Sequence, residues 1–354
     1  MRAAIALVIL FHLGSATQAD DSHPKVRWGA YVDSYYAYDF ERPVPPDRAF
    51  TTQAVRHNEF NINLAYIEAK LQESEVTKVR GRLALQAGTS VQANYSGEPT
   101  QGAFSGPSLS RHVQEAVVGY QVAPEFWIDA GIYFSHVGLE SWISADNWTY
   151  SRSMVADFSP YYQTGVRASW KPSEQWSAQL HLINGWQNIS ENNGGKSVGT
   201  QILYSAQGWS LSYSTILGNE EGFRHYHDLV LKLPTTGRYQ IGLELDYGHQ
   251  ETGSAGSETW TGFTFLQRFA VSEGWAISGR IERFLDPAGV VARSATGMGL
   301  RAWGASLGLD RELSPSLLLR GEARGIWAAD AVFPESEGYS NRDMVVIASI
   351  ALKL

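Results

Sequence analysis

The chain has no cysteine, which excludes disulfides, thiolate metal sites and lipid attachment through an N-terminal cysteine. Beyond its first residues it has no long apolar run. That first run, Ala3–Leu13, holds about 11 residues, where a membrane-crossing helix needs roughly 20. Proline numbers 13 in 354 residues and falls almost wholly in the joints between segments. Positive charge is not in excess. The 28 Lys and Arg against 36 Asp and Glu leave a net charge of -8, so no basic patch points to nucleic acid. No glycine-rich phosphate loop is present either, and no cofactor is expected. With a mean hydropathy of -0.23, the chain reads by hydropathy alone as a soluble secreted protein.

What is present argues otherwise. Arg2 precedes the apolar start, and Ala16-Thr17-Gln18-Ala19 offers small residues for cleavage. Residues 1–19 therefore read as a secretory signal peptide, and 20–354 as one domain. Gly (34), Tyr (17) and Trp (12) are plentiful, and the aromatics sit at the ends of short segments that alternate in polarity. A membrane strand needs only every second residue to be apolar, so a barrel can be hydrophilic on average and still face lipid.

The first segment shows the pattern. Its even positions are Val26, Trp28, Ala30, Val32, Ser34, Tyr36, Tyr38 and Phe40; its odd positions include Arg27, Asp33 and Asp39. A period of two puts these sets on opposite faces of a strand. Further apolar rows follow: Phe60, Ile62, Leu64 and Tyr66; Leu83, Leu85, Ala87 and Val91; Phe126, Ile128, Ala130, Ile132 and Phe134. Later ones are His227, Leu229, Leu231 and Leu233; Trp303, Ala305, Leu307 and Leu309; and Met344 to Leu354. The parity between Met298 and Leu309 is ambiguous, and a bulge near Ala302 is expected.

The joints alternate in length. Short ones, such as Val122–Glu125 and Ala206–Gly208, interleave with long ones: Glu41–His57, Tyr95–Arg111, Ser135–Ser159, Gln187–Lys196, Gly218–Arg224, Gln250–Glu258, Leu285–Ala295 and Ala328–Arg342. Short periplasmic turns and long outer loops are the asymmetry of outer-membrane barrels. At about 10 residues per tilted strand and as many per joint, the chain accommodates about 16 strands. Lipid offers no hydrogen-bond partner, so every edge must be paired. The expectation is an all-β, transmembrane antiparallel barrel in the outer membrane of a Gram-negative bacterium, with outer-membrane lipids around it.

The rows opposite the apolar ones then line the interior. They carry Arg27, Asp33, Arg80, Arg82, Gln86, Asp129, Arg167, Gln179, His181, Glu244, Asp246, Arg280, Glu282, Arg320, Glu322 and Arg324. A sealed core does not bury that many unpaired charges, so water is expected to fill the interior at least in part. A barrel this wide encloses an aqueous channel unless something plugs it. The longest loop, Ser135–Ser159, carries His136, Glu140, Trp142, Asp146, Trp148, Arg152 and Asp157. A long loop with apolar anchors packs rather than wanders. Folded inward, it would narrow the pore, and its charges would set ion preference; capping the outer mouth or contacting a neighbouring subunit are its alternatives.

The stretch Gly138–Arg167, GLESWISADNWTYSRSMVADFSPYYQTGVR, resembles the signature of the OmpL-like β-barrel porins. From Trp28 to the C-terminus the likeness is one of strand pattern and length. The resemblance implies an outer-membrane porin, a channel for passive diffusion of small hydrophilic solutes or ions, without naming a solute. One departure is the end, Ala351-Leu352-Lys353-Leu354, where bacterial barrels usually finish in an aromatic residue used by the barrel-assembly machinery.

Residues of other functional classes are also present. Ser135-His136 beside acidic groups raises a barrel hydrolase, but nothing fixes a triad. His225 and His227 share a strand face, yet two ligands without a third do not make a metal site. A gated receptor would need a plug ahead of the first strand. A non-conducting adhesin or structural barrel stays open, as does a homotrimer.

Overall fold

The computed structural model describes residues 25–73, 77–100, 105–106, 110–233, 237–253 and 256–354; the signal-peptide reading, on residues 1–19, lies outside them. The strands are β1 (Val26–Asp39), β2 (Phe60–Leu71), β3 (Val79–Ala87), β4 (Val113–Ala123), β5 (Phe126–Phe134) and β6 (Tyr162–Trp170). Then follow β7 (Trp176–Ile183), β8 (Ser197–Ala206), β9 (Trp209–Asn219), β10 (Phe223–Leu233) and β11 (Tyr239–Glu251). The last are β12 (Ser257–Ser272), β13 (Trp275–Asp286), β14 (Leu300–Ser314), β15 (Leu317–Ala328), β16 (Phe333–Glu335), β17 (Gly338–Ser340) and β18 (Arg342–Lys353). All pair antiparallel. β16 and β17 form a separate hairpin, while β18 joins β15 to β1 and closes a barrel of sixteen strands. Closure leaves no unpaired edge for lipid to solvate.

The wall follows the period of two. Trp28 (79% exposed) and Leu307 (63%) point outward, whereas Asp33, Glu244 and Glu282 (each 0%) point in. Exposed Trp28, Tyr120, Trp170 and Trp176 ring the short-turn end; Phe40, Phe60, Trp303 and Trp327 ring the loop end. These are the two aromatic girdles of a band about 25 Å tall.

Four expectations are corrected. Val91 does not continue the row of Leu83 and Leu85 but lies buried in a short helix, Thr89–Asn94, after β3 ends. Leu64 and Tyr66 do not continue the outward row of Phe60 and Ile62. The ladder shifts register between Asp33 and Ser34, which pair with Leu64 and Ile62, so Asn63 is the extra residue of a bulge. Beyond it Leu64 and Tyr66 are buried and Ile67 faces out. No shift occurs near Ala302, which pairs in register with Phe284; β14 shifts instead between Glu312 and Ser314, at its turn end. Two of the eight outer loops are tighter than expected, because β9 ends at Asn219 with β10 starting at Phe223, and β11 ends at Glu251 with β12 starting at Ser257.

Buried apolar groups gather inside the barrel, not between layers. Val137, Met154 and Val155 of the third long loop pack with Tyr226, Trp260, Phe284 and Leu300 of the wall. Trp142 and Ile143 pack with Tyr31, Leu64 and Tyr66. The inward Leu64 and Tyr66 thus cover a loop and do not face lipid.

Candidate functional site

The third long loop runs from β5 into the lumen and returns to β6. It carries a single-turn helix, α1 (Met154–Asp157), whose N-cap Ser153 accepts from the Ala156 N–H. On the β1 side, the Ser144 hydroxyl donates to Asp33 Oδ2 at 2.7 Å and the Tyr150 hydroxyl to Asp33 Oδ1 at 3.3 Å. On the β13–β15 wall, Arg280 donates to the Ser151 carbonyl at 2.6 Å, and Arg320 to the carbonyls of Ser144 (2.7 Å) and Asn147 (2.9 Å). Glu322 accepts from the Ser151 hydroxyl at 2.6 Å, and Glu282 from the Met154 N–H at 2.5 Å. On the β9–β11 wall, Gly138 N–H donates to Asp228 and Leu139 N–H to Glu244, at 3.2 and 3.1 Å, while His136 meets the Thr215 carbonyl at 3.1 Å.

The charged candidates divide into groups. Arg280, Glu282, Arg320, Glu322 and Arg324 are one buried network. Arg280 lies 3.2 Å from Glu282, 3.5 Å from Glu140 and 3.6 Å from Glu322, and Arg324 lies 2.9 Å from Glu282. Arg320 holds Asp310 at 2.7 Å. Opposite charges and loop carbonyls compensate these groups. Arg152 is fully buried, 3.9 Å above the Tyr161 ring and 4.9 Å above that of Trp142, with Asp157 at 3.6 Å. Burial pushes the carboxyls of Glu140 and Asp157 above their usual range, with Arg280 and Arg152 respectively pulling them back.

Arg80, Arg82 and Arg167 stand apart, toward the turn end. Asp129 bridges Arg80 and Arg167 at 2.7 and 3.0 Å, and Arg82 pairs with Glu68 and Glu115. With Arg27 and Lys70 they line a cavity of about 540 Å³. A second cavity of about 430 Å³ lies under the loop and is lined by Asp146, Trp148, Arg268, Asp310, Arg320 and Lys353 among others. Asp146 is bound there to Lys353 at 2.7 Å. Glu244 and Asp246 sit on the opposite wall beside Asp228, all three buried.

Several participants went unnamed in the sequence reading. Gln53 of the first outer loop donates to the Trp142 carbonyl at 3.1 Å, and Thr52 N–H to Asp157 at 3.2 Å. Nothing in the 41–57 stretch signals an inward loop. Asp228 had a signal: between His227 and Leu229 of the outward row, alternation alone puts it inside.

Among the described residues Ser135 and His136 do not pair as nucleophile and base. The His136 ring contacts Gln163 (3.1 Å) and the Thr215 carbonyl, while the Ser135 hydroxyl accepts from Val137 N–H. His225 and His227 meet at 3.2 Å on the outer face, where His249 stacks on His225 at 4.7 Å between centroids. That third imidazole comes from β11, opposite His225 in the ladder.

The family described as "Putative beta-barrel porin-2, OmpL-like" matches residues 25–354. No curated protein sequence matches the chain. Among solved structures, the outer-membrane channel DcaP of Acinetobacter baumannii is similar at 9% identity over 96% of this chain and 100% of its own, with a TM-score of 0.62. OmpT of Vibrio cholerae aligns at 7% identity over 96% and 100%, with a TM-score of 0.62. An anion-selective porin from Comamonas acidovorans aligns at 10% over 94% and 100%, with a TM-score of 0.59. At such identities these likenesses show the fold alone. The family match over nearly the whole length carries the assignment: the chain belongs to the OmpL-like β-barrel porins, and is an outer-membrane porin of a Gram-negative bacterium.

Proposed function

We infer that the third loop, Ser135–Ser159, forms the narrowest section of the diffusion path, and that small hydrophilic solutes or ions pass beside it between the charged walls. The observation behind this reading is the loop's span: its hydrogen bonds reach β1, β13, β15, β10 and β11, so it crosses the lumen instead of lying along one side. Ordered side chains at a constriction set which ions enter. Replacing residues 139–158 by a short glycine-serine linker tests it in planar bilayers. Unitary conductance rises several-fold if the loop narrows the path, and an unchanged value rejects the reading.

The chain acts without catalysis in this reading, as a passive path for solutes; esterase or protease activity in purified protein would count against it. Its surroundings are outer-membrane lipids at the aromatic girdles, the barrel-assembly machinery during insertion, and two further copies in a homotrimer. Cross-linking in native membranes reads the last of these directly.

A further inference from the structure

Three carboxylates meet on the inner wall where β10 and β11 lie side by side. Asp228 pairs across the ladder with Asp246, and Glu244 stands two residues along on the same face, opposite Val230. All are buried, at 1%, 6% and 0% exposure, and one oxygen of each lies within 4.8 Å of the others. Gly138 N–H and Leu139 N–H each occupy one oxygen, of Asp228 and Glu244, and the Tyr226 hydroxyl donates to one of Asp246. The remaining oxygens, Asp228 Oδ1, Glu244 Oε2 and Asp246 Oδ1, are buried with no hydrogen-bond partner.

The facing wall shows how this barrel treats buried carboxylates elsewhere. Glu282 has Arg280 and Arg324, and Asp310 has Arg320. Among the described residues no arginine or lysine forms such a pair with the β10–β11 carboxylates; the field of Lys232 reaches Glu244 from farther along β10. Uncompensated negative charge in a buried site is costly, and a cation or a proton must relieve it.

We propose that Asp228, Glu244 and Asp246 bind a divalent cation of the calcium type, which pins Gly138–Leu139 of the third loop to the β10–β11 wall. The donors are all oxygens, which select hard cations over zinc or copper. Calcium–oxygen distances of about 2.3–2.6 Å put opposite ligands about 5 Å apart and neighbouring ones closer, which matches the observed spread. Three carboxylates with one dication leave a single net negative charge, and water completes the six to eight ligands such an ion takes. The loop would then be held by arginines on one wall and by a metal ion on the other.

The test uses full-length mature protein refolded in detergent, stripped with chelator and titrated with calcium chloride by calorimetry. One ion binds per chain, and the same addition raises the melting temperature. Both responses are lost in the Asp246→Asn/Glu244→Gln double variant and kept in Glu174→Gln, an exposed turn acid. Should the double variant fail to refold, the single Asp228→Asn variant serves in its place. Absence of stoichiometric binding by the wild type overturns the site in favour of a shared proton, and binding that survives these substitutions overturns it in favour of another locus. No conductance enters the measurement, so a failure here leaves the channel reading standing.

Discussion

The guanidinium of Arg280 grips Ser151 twice, donating to its carbonyl at 2.6 Å and to its hydroxyl at 2.9 Å across 129 positions of sequence. The same group is the shared counter-ion of Glu140, Glu282 and Glu322. Replacing it with alanine strands those carboxylates and frees the centre of the loop. Breaking a buried pair by removing one partner costs about 3–5 kcal/mol. Arg280→Ala therefore lowers the denaturant midpoint markedly, and in bilayers its current becomes larger and noisier as the loop leaves its seat. Equilibrium unfolding in detergent and single-channel recording check the two effects.

Asp146 and Glu140 look equivalent as loop acids but play different parts. Glu140 is buried against Arg280 and accepts from the Ser153 N–H at 2.8 Å, whereas Asp146 is 41% exposed at its side chain and faces the turn-side cavity beside Lys353. Asp146→Lys shifts the reversal potential under a salt gradient toward anions with little loss of stability. Glu140→Lys puts a second cation beside Arg280 and impairs folding before selectivity can be read. Reversal potentials paired with melting curves separate the two.

His136 gives the loop a pH response. Burial holds its imidazole below the usual 6.5, the field of Arg167 adds to this, and His181 stacks on it at 4.0 Å. Above pH 6.5 the ring is neutral whether the loop is docked or released, and the docked contacts count in full. Below it the released ring takes a proton that the docked ring refuses, so stability falls as pH drops, by at most about 1.4 kcal/mol per unit. Glu140 and Asp157, raised by burial, act in the opposite sense, their docked forms holding protons more tightly as pH falls. The melting curves of wild type and His136→Gln between pH 7.5 and about 5 isolate the histidine: the wild type loses more, and parallel curves would remove His136 from the account.

Alternation was legible wherever lipid on one side and charge on the other enforce it, as along β1, and it was ambiguous over the first part of β14. It failed at Asn63, because Leu64 and Tyr66 are apolar on either face, and their covering, Trp142 and Ile143, comes from a loop about 80 residues away. The wall charges Arg280, Glu282, Arg320, Glu322 and Arg324 were readable as inward-facing. Their partners were not, since backbone carbonyls of Ser144, Asn147 and Ser151 leave no trace in residue type. Asp228 is readable by parity alone, from its place between the outward His227 and Leu229.

Leu307 and Leu313 both point outward from β14, yet the membrane weighs them differently. Leu307, 63% exposed, sits mid-strand, while Leu313 lies beyond Arg311, whose guanidinium stacks 5.1 Å from the Trp275 ring at the turn-side girdle. An outward arginine beside a tryptophan marks where the apolar band ends. Arginine at the midplane of a barrel's lipid face costs about 2–4 kcal/mol, falling to about 0–1 near the interface. Leu307→Arg thus destabilises the barrel in lipid vesicles by the larger amount and Leu313→Arg by the smaller. Urea unfolding followed by tryptophan fluorescence reads both, and equal costs would mean that the band is centred elsewhere on the strand.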